Sequence, residues 1–134
     1  SLDCVISFDV IEHFSRDELI DFIDEVHRVL NSSGIWIIHT VNGQSPFFGG
    51  IRYGDITHEI AFTANSLSQL MLSSGYSSVE CFEERPIPHG IKSAVRAILW
   101  RIYRGILRLF IAIEMGTVDS NLIFSQNFLT IVRK

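Results

Sequence analysis

An α/β fold organised around a parallel sheet is what this sequence predicts, and three observations carry the prediction. Leu2–Phe8 and Ile35–Val41 are short, nearly continuous apolar runs, the pattern of strands buried on both faces. Between them Leu19, Phe22, Ile23, Val26 and Leu30 recur at three- and four-residue spacing, which gives one apolar helix face. The joints on either side of that helix are short, so strand, helix and strand form a βαβ unit with a right-handed crossover.

Each element has its own local reason. Ser15-Arg16-Asp17-Glu18 has the form of a capping box, and acidic residues crowd the start of the first helix where its dipole favours them. Asn31-Ser32-Ser33-Gly34 reads as its stop. Residues 42–62 are loop-like, with Gly43, Pro46, Gly49, Gly50 and Gly54, and a connection this long is usually functional or mobile. Thr63 is placed to cap a second helix running through Ser73, with Leu67, Leu70 and Met71 inward and Gly75 as its stop. Ser78–Glu83 reads as a third strand, Pro86, Pro88 and Gly90 as a break, and Phe124–Val132 as a final strand. Residues 91–113 form a long amphipathic segment. Val95, Ile98, Leu99, Ile102, Ile106, Leu109 and Ile113 share one face, Arg101, Arg104 and Arg108 the opposite one, and Lys92 and Arg96 flank them. Such a helix fits either an anionic membrane surface or a lid or oligomer contact on protein.

Composition narrows the function. The 134 residues suit one domain or part of a larger one, and 47% hydrophobic with 19% charged residues excludes a disordered chain. Eleven basic and 15 acidic residues give a net charge of -4, which argues against a nucleic-acid partner. Cys4 and Cys81 are too few for a disulfide scaffold and read as small core residues. Arginines interrupt the one candidate for a membrane span. With no signal-peptide pattern, the expectation is a reduced, intracellular, soluble domain, cytoplasmic, with a position peripheral to a membrane left open. A central strand at the very start also leads us to expect a segment upstream of Ser1. No H-E-x-x-H pair, G-x-S-x-G elbow or Walker loop is present.

The order of motifs resembles a known family. Leu2-Asp3-Cys4-Val5-Ile6-Ser7-Phe8-Asp9-Val10-Ile11-Glu12-His13-Phe14 is similar to the fourth strand and following loop of class I S-adenosylmethionine-dependent methyltransferases, type 11 and 23 domains among them. Val29-Leu30-Asn31-Ser32-Ser33-Gly34 is similar to the turn before that family's fifth strand. Asp55-Ile56-Thr57-His58, Phe62-Thr63 and Gly75-Tyr76 resemble the elements before its sixth. The resemblance covers about residues 2 to 84. It implies a partial Rossmann-like sheet, strands 4 to 7 of the class I fold, with an inserted amphipathic helix over 91–113 before an antiparallel last strand. Residues 1–134 would then be the C-terminal part of a single methyltransferase domain. The family's glycine-rich cofactor loop and acidic ribose-binding residue have no counterpart here.

The resemblance also implies a site. Ligands of open α/β sheets bind beyond the carboxyl ends of the strands, which places Ser7, Phe8 and Asp9 beside S-adenosylmethionine. His13 would take a proton from a small-molecule acceptor, or simply hold its loop; His58 would be an alternative base, or organise the loop ahead of Thr63. Asp9, Glu12 and His13 are similar to positions that hold a divalent metal in some quinone-biosynthesis methyltransferases, although a resident metal is not part of the main expectation. His39 reads as a hydrogen-bonded core histidine and His89 as structural. The expected activity is methyl transfer to a small acceptor; the rival is a non-catalytic module binding a partner or membrane surface through 91–113.

Overall fold

A computed structural model describes residues 1–117 and 122–134. Its described residues fall into two units, Ser1–Glu84 with Ile123–Lys134, and Arg85–Leu122. The first unit is a mixed four-stranded sheet of β1 (Leu2–Phe8), β2 (Leu30–Val41), β3 (Ser78–Glu83) and β4 (Asn127–Arg133), in the order β1-β2-β4-β3. β1 and β2 are parallel, and β4 runs antiparallel to both β2 and β3.

Helix α1 (Arg16–Val29) starts where the cap predicts: the Glu18 carboxylate accepts from the Ser15 amide at 3.0 Å and from its hydroxyl at 2.6 Å. A five-residue helix, α2 (Phe48–Arg52), interrupts the long loop. Helix α3 (Ala64–Ser73) is capped by Thr63, whose hydroxyl oxygen accepts from the Ser66 amide at 3.1 Å. Gly75 ends it at φ +90°, a conformation that glycine adopts without steric cost.

The alternation of β2 puts Trp36 and Ile38 on the face where Leu19, Ile23 and Val26 of α1 and Leu67 and Met71 of α3 close the core. Phe128 and Val132 extend that face onto β4. Trp36, Ile38, Phe128 and Val132 are all fully buried, and burying a side chain of this kind contributes roughly 1.5–3 kcal/mol. The other face of the sheet is open around Ile6, Phe8 and Phe82.

Four expectations need correction. β1 is not buried on both faces: it is an edge strand, and Leu2, Ile6 and Phe8 are exposed because β2 alone pairs with it and α1 and α3 cover only one face. Cys4 is exposed for the same reason, while Cys81 packs against the core; both are free. Residues 31–34 are not a turn but the first part of β2, joined to β1 by a register shift between Leu2 and Cys4. There a Cβ on Gly34 would lie 3.1 Å from the Leu2 carbonyl of β1, so glycine lets the two backbones approach. The final strand starts at Asn127 rather than Phe124, because the Phe124 and Ser125 amides donate to the Glu83 carboxylate instead of to a neighbouring strand.

The second unit contains α4 (Ile91–Met115), two residues longer than expected and ended by Gly116 at φ +70°. Its predicted apolar stripe is exposed. Arg104 does not project freely with Arg101 and Arg108; its guanidinium lies 4.6 Å from the Trp100 ring centre and is covered. His89 Nδ1 lies 2.9 Å from the Ile87 carbonyl. No helix among the described residues is long and apolar enough to cross a membrane.

Candidate functional site

Parallel β1 and β2 end side by side, and the segments leaving them carry the chemistry. After β1 the chain turns at Asp9, whose φ of +52° is uncommon for a residue with a side chain, and enters a single 3-10 turn at Ile11–His13. The long loop after β2 returns to this turn, where the Glu12 carbonyl accepts from the Glu59 and Ile60 amides at 2.8 and 3.1 Å. Two groups of side chains result.

In the first, Glu12, His13 and His58 meet. One donor atom from each lies within 4.8 Å of the others, and the imidazole centres are 4.8 Å apart. Glu12 is fully buried; its Oε2 accepts from the Thr40 hydroxyl at 3.0 Å. Glu12 Oε1 and His58 Nδ1 are buried yet have no hydrogen-bond partner among the described residues. Orphaned buried polar atoms are costly, so two converging ones fit a site that a ligand completes.

The network also fixes the tautomer of His13. Its Nδ1 sits 3.2 Å from the Thr57 carbonyl and 2.9 Å from the Thr57 hydroxyl. A carbonyl only accepts, and the hydroxyl already donates to Asp55 Oδ1 at 2.6 Å, so the imidazole proton is on Nδ1. That leaves Nε2 of the neutral ring as a base or ligand. Asp55, held by the Thr57 hydroxyl and amide and by the nearby His58 and His13, has a carboxyl below the usual range.

The second group is Ser7, Phe8, Asp9, His39 and Glu84. His39 Nδ1 lies 2.7 Å from Asp9 Oδ1 and its Nε2 2.8 Å from Glu84 Oε1. Both partners are acceptors, so both ring nitrogens donate, which only the imidazolium can do. Burial pulls the ring toward its neutral form, but the hydrogen bonds from Glu84 and Asp9, helped by their charges, outweigh it and raise the pKa. Phe8 stacks on His39 with centres 5.3 Å apart. The Ser7 hydroxyl is buried and accepts from Trp36 Nε1 at 2.9 Å.

The predicted residues thus separate. Glu12 and His13 come together with His58, while Asp9, expected beside Glu12 and His13 as a metal ligand, engages His39 instead. Among the described residues, those that fit a divalent cation are Glu12, His13 and His58, a carboxylate and two imidazoles.

The comparisons with known proteins agree with this architecture. Residues 1–38 match the family model described as a methyltransferase domain. Among curated proteins none matches. Among solved structures, a SAM-dependent methyltransferase from Archaeoglobus fulgidus superposes with a TM-score of 0.66 at 19% identity, over 99% of this chain and 59% of that one. The chain has the fold of S-adenosylmethionine-dependent methyltransferases. A second such methyltransferase, from Thermotoga maritima, gives 0.64 at 15% identity over 100% of this chain and 56% of that one. A third, from Mesorhizobium loti, gives 0.59 at 14% identity over 100% and 63%. The chain therefore spans a little over half the length of these three methyltransferases. The resemblance in its motifs and the fold agree.

Sequence reasoning did not assign three parts of this methyltransferase-fold site. Thr57 and Asp55 were legible only as loop residues, not as the pair that orients His13. Thr40 reads as one more position in an apolar strand, and Glu84 lies beyond the third strand with no motif to connect it to His39.

Proposed function

We propose that this chain forms the acceptor-side half of an S-adenosylmethionine-dependent methyltransferase acting on a small molecule, with His13 as the base. The observation that supports this most is the His13 network: Nδ1 is tied to Thr57, and the ring lies beside Glu12 and His58 at the carboxyl ends of the parallel strands. In this reading the sheet order β1-β2-β4-β3 corresponds to strands 4, 5, 7 and 6 of the class I fold. The open edge of β1 is where the cofactor-binding strands would pair.

Methyl transfer is an in-line substitution. An acceptor atom forms a bond to the sulfonium methyl as the carbon–sulfur bond breaks, and S-adenosylhomocysteine leaves with the electron pair. The acceptor proton passes to His13 Nε2, and the protonated ring keeps its Nδ1–H on Thr57. Ser7, Phe8 and Asp9 would border the cofactor, Phe8 as an exposed apolar wall and Asp9 through its His39 pair. Positioning and exclusion of water supply the rest of the rate. A divalent cation, where one is used, would be held by Glu12, His13 and His58, would replace the base role of His13, and would act as a Lewis acid on an acceptor oxygen.

The reading is tested in the full-length protein that contains this chain. Calorimetric titration with S-adenosylmethionine should show binding, and His13→Ala should leave that affinity nearly unchanged. Absence of cofactor binding by the full-length protein would sink the proposal. Melting curves with magnesium, manganese or zinc, for wild type and Glu12→Gln, decide whether the cluster takes a cation. A stabilisation lost in the variant supports one, and no shift removes the cation from the scheme.

A further inference from the structure

We infer that α4 is a monotopic membrane helix that lies in the interface of an anionic bilayer. The observation is the arrangement of charge about an exposed apolar stripe. Val95, Ile98, Ile102, Ile106, Leu109 and Ile113 fall within an arc of about 80° at the 3.6-residue helical repeat. All six are exposed, between 47% and 72%, a continuous apolar surface of the kind that marks an interaction site. The helix is about 37 Å long at 1.5 Å per residue, so the stripe runs along most of a substantial rod.

The edges of the stripe say what covers it. Lys92 and Arg96 follow one edge, and Arg101 and Arg108 follow the other, all four exposed. Long basic side chains so placed can lay their methylenes against acyl chains and raise their charges to the phosphates. Along the Lys92–Arg96 edge a shallow groove of about 450 Å³ is lined by both residues with Val95, Leu99, Trp100 and Tyr103. Aromatic and basic residues together are the composition found at headgroup depth.

The charge is concentrated in this helix. Five of the chain's 11 basic residues lie in α4 against one acid, Glu114, in a chain whose net charge is -4. A second copy of α4 fits poorly, because pairing the stripes would bring like-charged edges together. A spanning orientation is excluded by the same arginines. This inference stands apart from the methyl-transfer reading and does not depend on it.

Vesicle sedimentation tests it with the full 134-residue chain. Phosphatidylcholine vesicles containing phosphatidylglycerol should pull the protein down, pure phosphatidylcholine vesicles should do so far less, and salt should release it. Each basic residue near an anionic surface is worth roughly fivefold in partitioning, so Arg101→Gln with Arg108→Gln should weaken binding about 25-fold. Ile98→Asp with Ile102→Asp, both exposed and checked for an unchanged circular dichroism spectrum, should abolish it. Equal binding to both vesicle types, or no binding to either, would overturn the inference. So would a dimer in analytical ultracentrifugation that the Ile98→Asp, Ile102→Asp variant dissociates, since the stripe would then belong to a second copy.

Discussion

At the scale of single residues the two histidines at the strand ends are held by different partners. His13 donates from Nδ1 to Thr57, whereas His39 is clasped by two carboxylates as a cation. If His13 removes the acceptor proton, His13→Ala in the full-length protein should lower turnover by roughly 10²–10⁴-fold while cofactor affinity holds. Thr57→Val should lower turnover less and change its pH profile, because the ring would lose its enforced tautomer. A His13 that only anchors its loop would instead show a lower melting temperature with normal turnover per folded molecule.

The His39 clasp makes a separate prediction about pH. Its folded pKa is raised above the unfolded value of about 6.5, so the folded state holds the proton more tightly. The stability this contributes is fully present below the unfolded pKa and is lost as pH rises through the folded one. Urea unfolding of wild type and His39→Gln should therefore differ most in mildly acidic buffer and converge in alkaline buffer. A difference that grows with pH would contradict the imidazolium assignment.

Among the elements, those governed by local chemistry were readable in sequence. The Ser15–Glu18 and Thr63–Ser66 caps place both helix starts, and periodicity places Leu19, Ile23, Val26, Leu67 and Met71 in the core. Thr63→Ala should cost about 1 kcal/mol in thermal or chemical unfolding, since it leaves the Ser66 amide without its acceptor. What escaped the sequence depends on neighbours. The apolar run of β1 looks the same whether it sits inside a sheet or at its edge, and only the strand order puts Leu2, Ile6 and Phe8 at the edge. Glu12 likewise gives no local sign that Thr40, two elements and 28 positions away, will cover it.

Over the whole molecule, the sheet order accounts for two properties at once. β1 and β3 lie at opposite edges of the sheet, so Cys4 and Cys81 cannot pair, and thiol titration without reductant should count two. The same order leaves the cofactor half of the proposed site unsupplied by these 134 residues. An S-adenosylmethionine site needs a glycine-rich turn that brings backbone amides to the carboxylate end of the ligand and an acid for the ribose hydroxyls, and this chain offers neither. The Ser7 hydroxyl is already committed to Trp36, and the edge of β1 that carries Phe8 and Asp9 at its end has no strand paired to it among the described residues. The 134-residue chain by itself should therefore show no measurable heat on titration with S-adenosylmethionine, even though it folds and keeps its melting transition. Micromolar binding by this chain alone would mean that the cofactor needs neither a glycine-rich turn nor an acidic ribose partner from outside these residues.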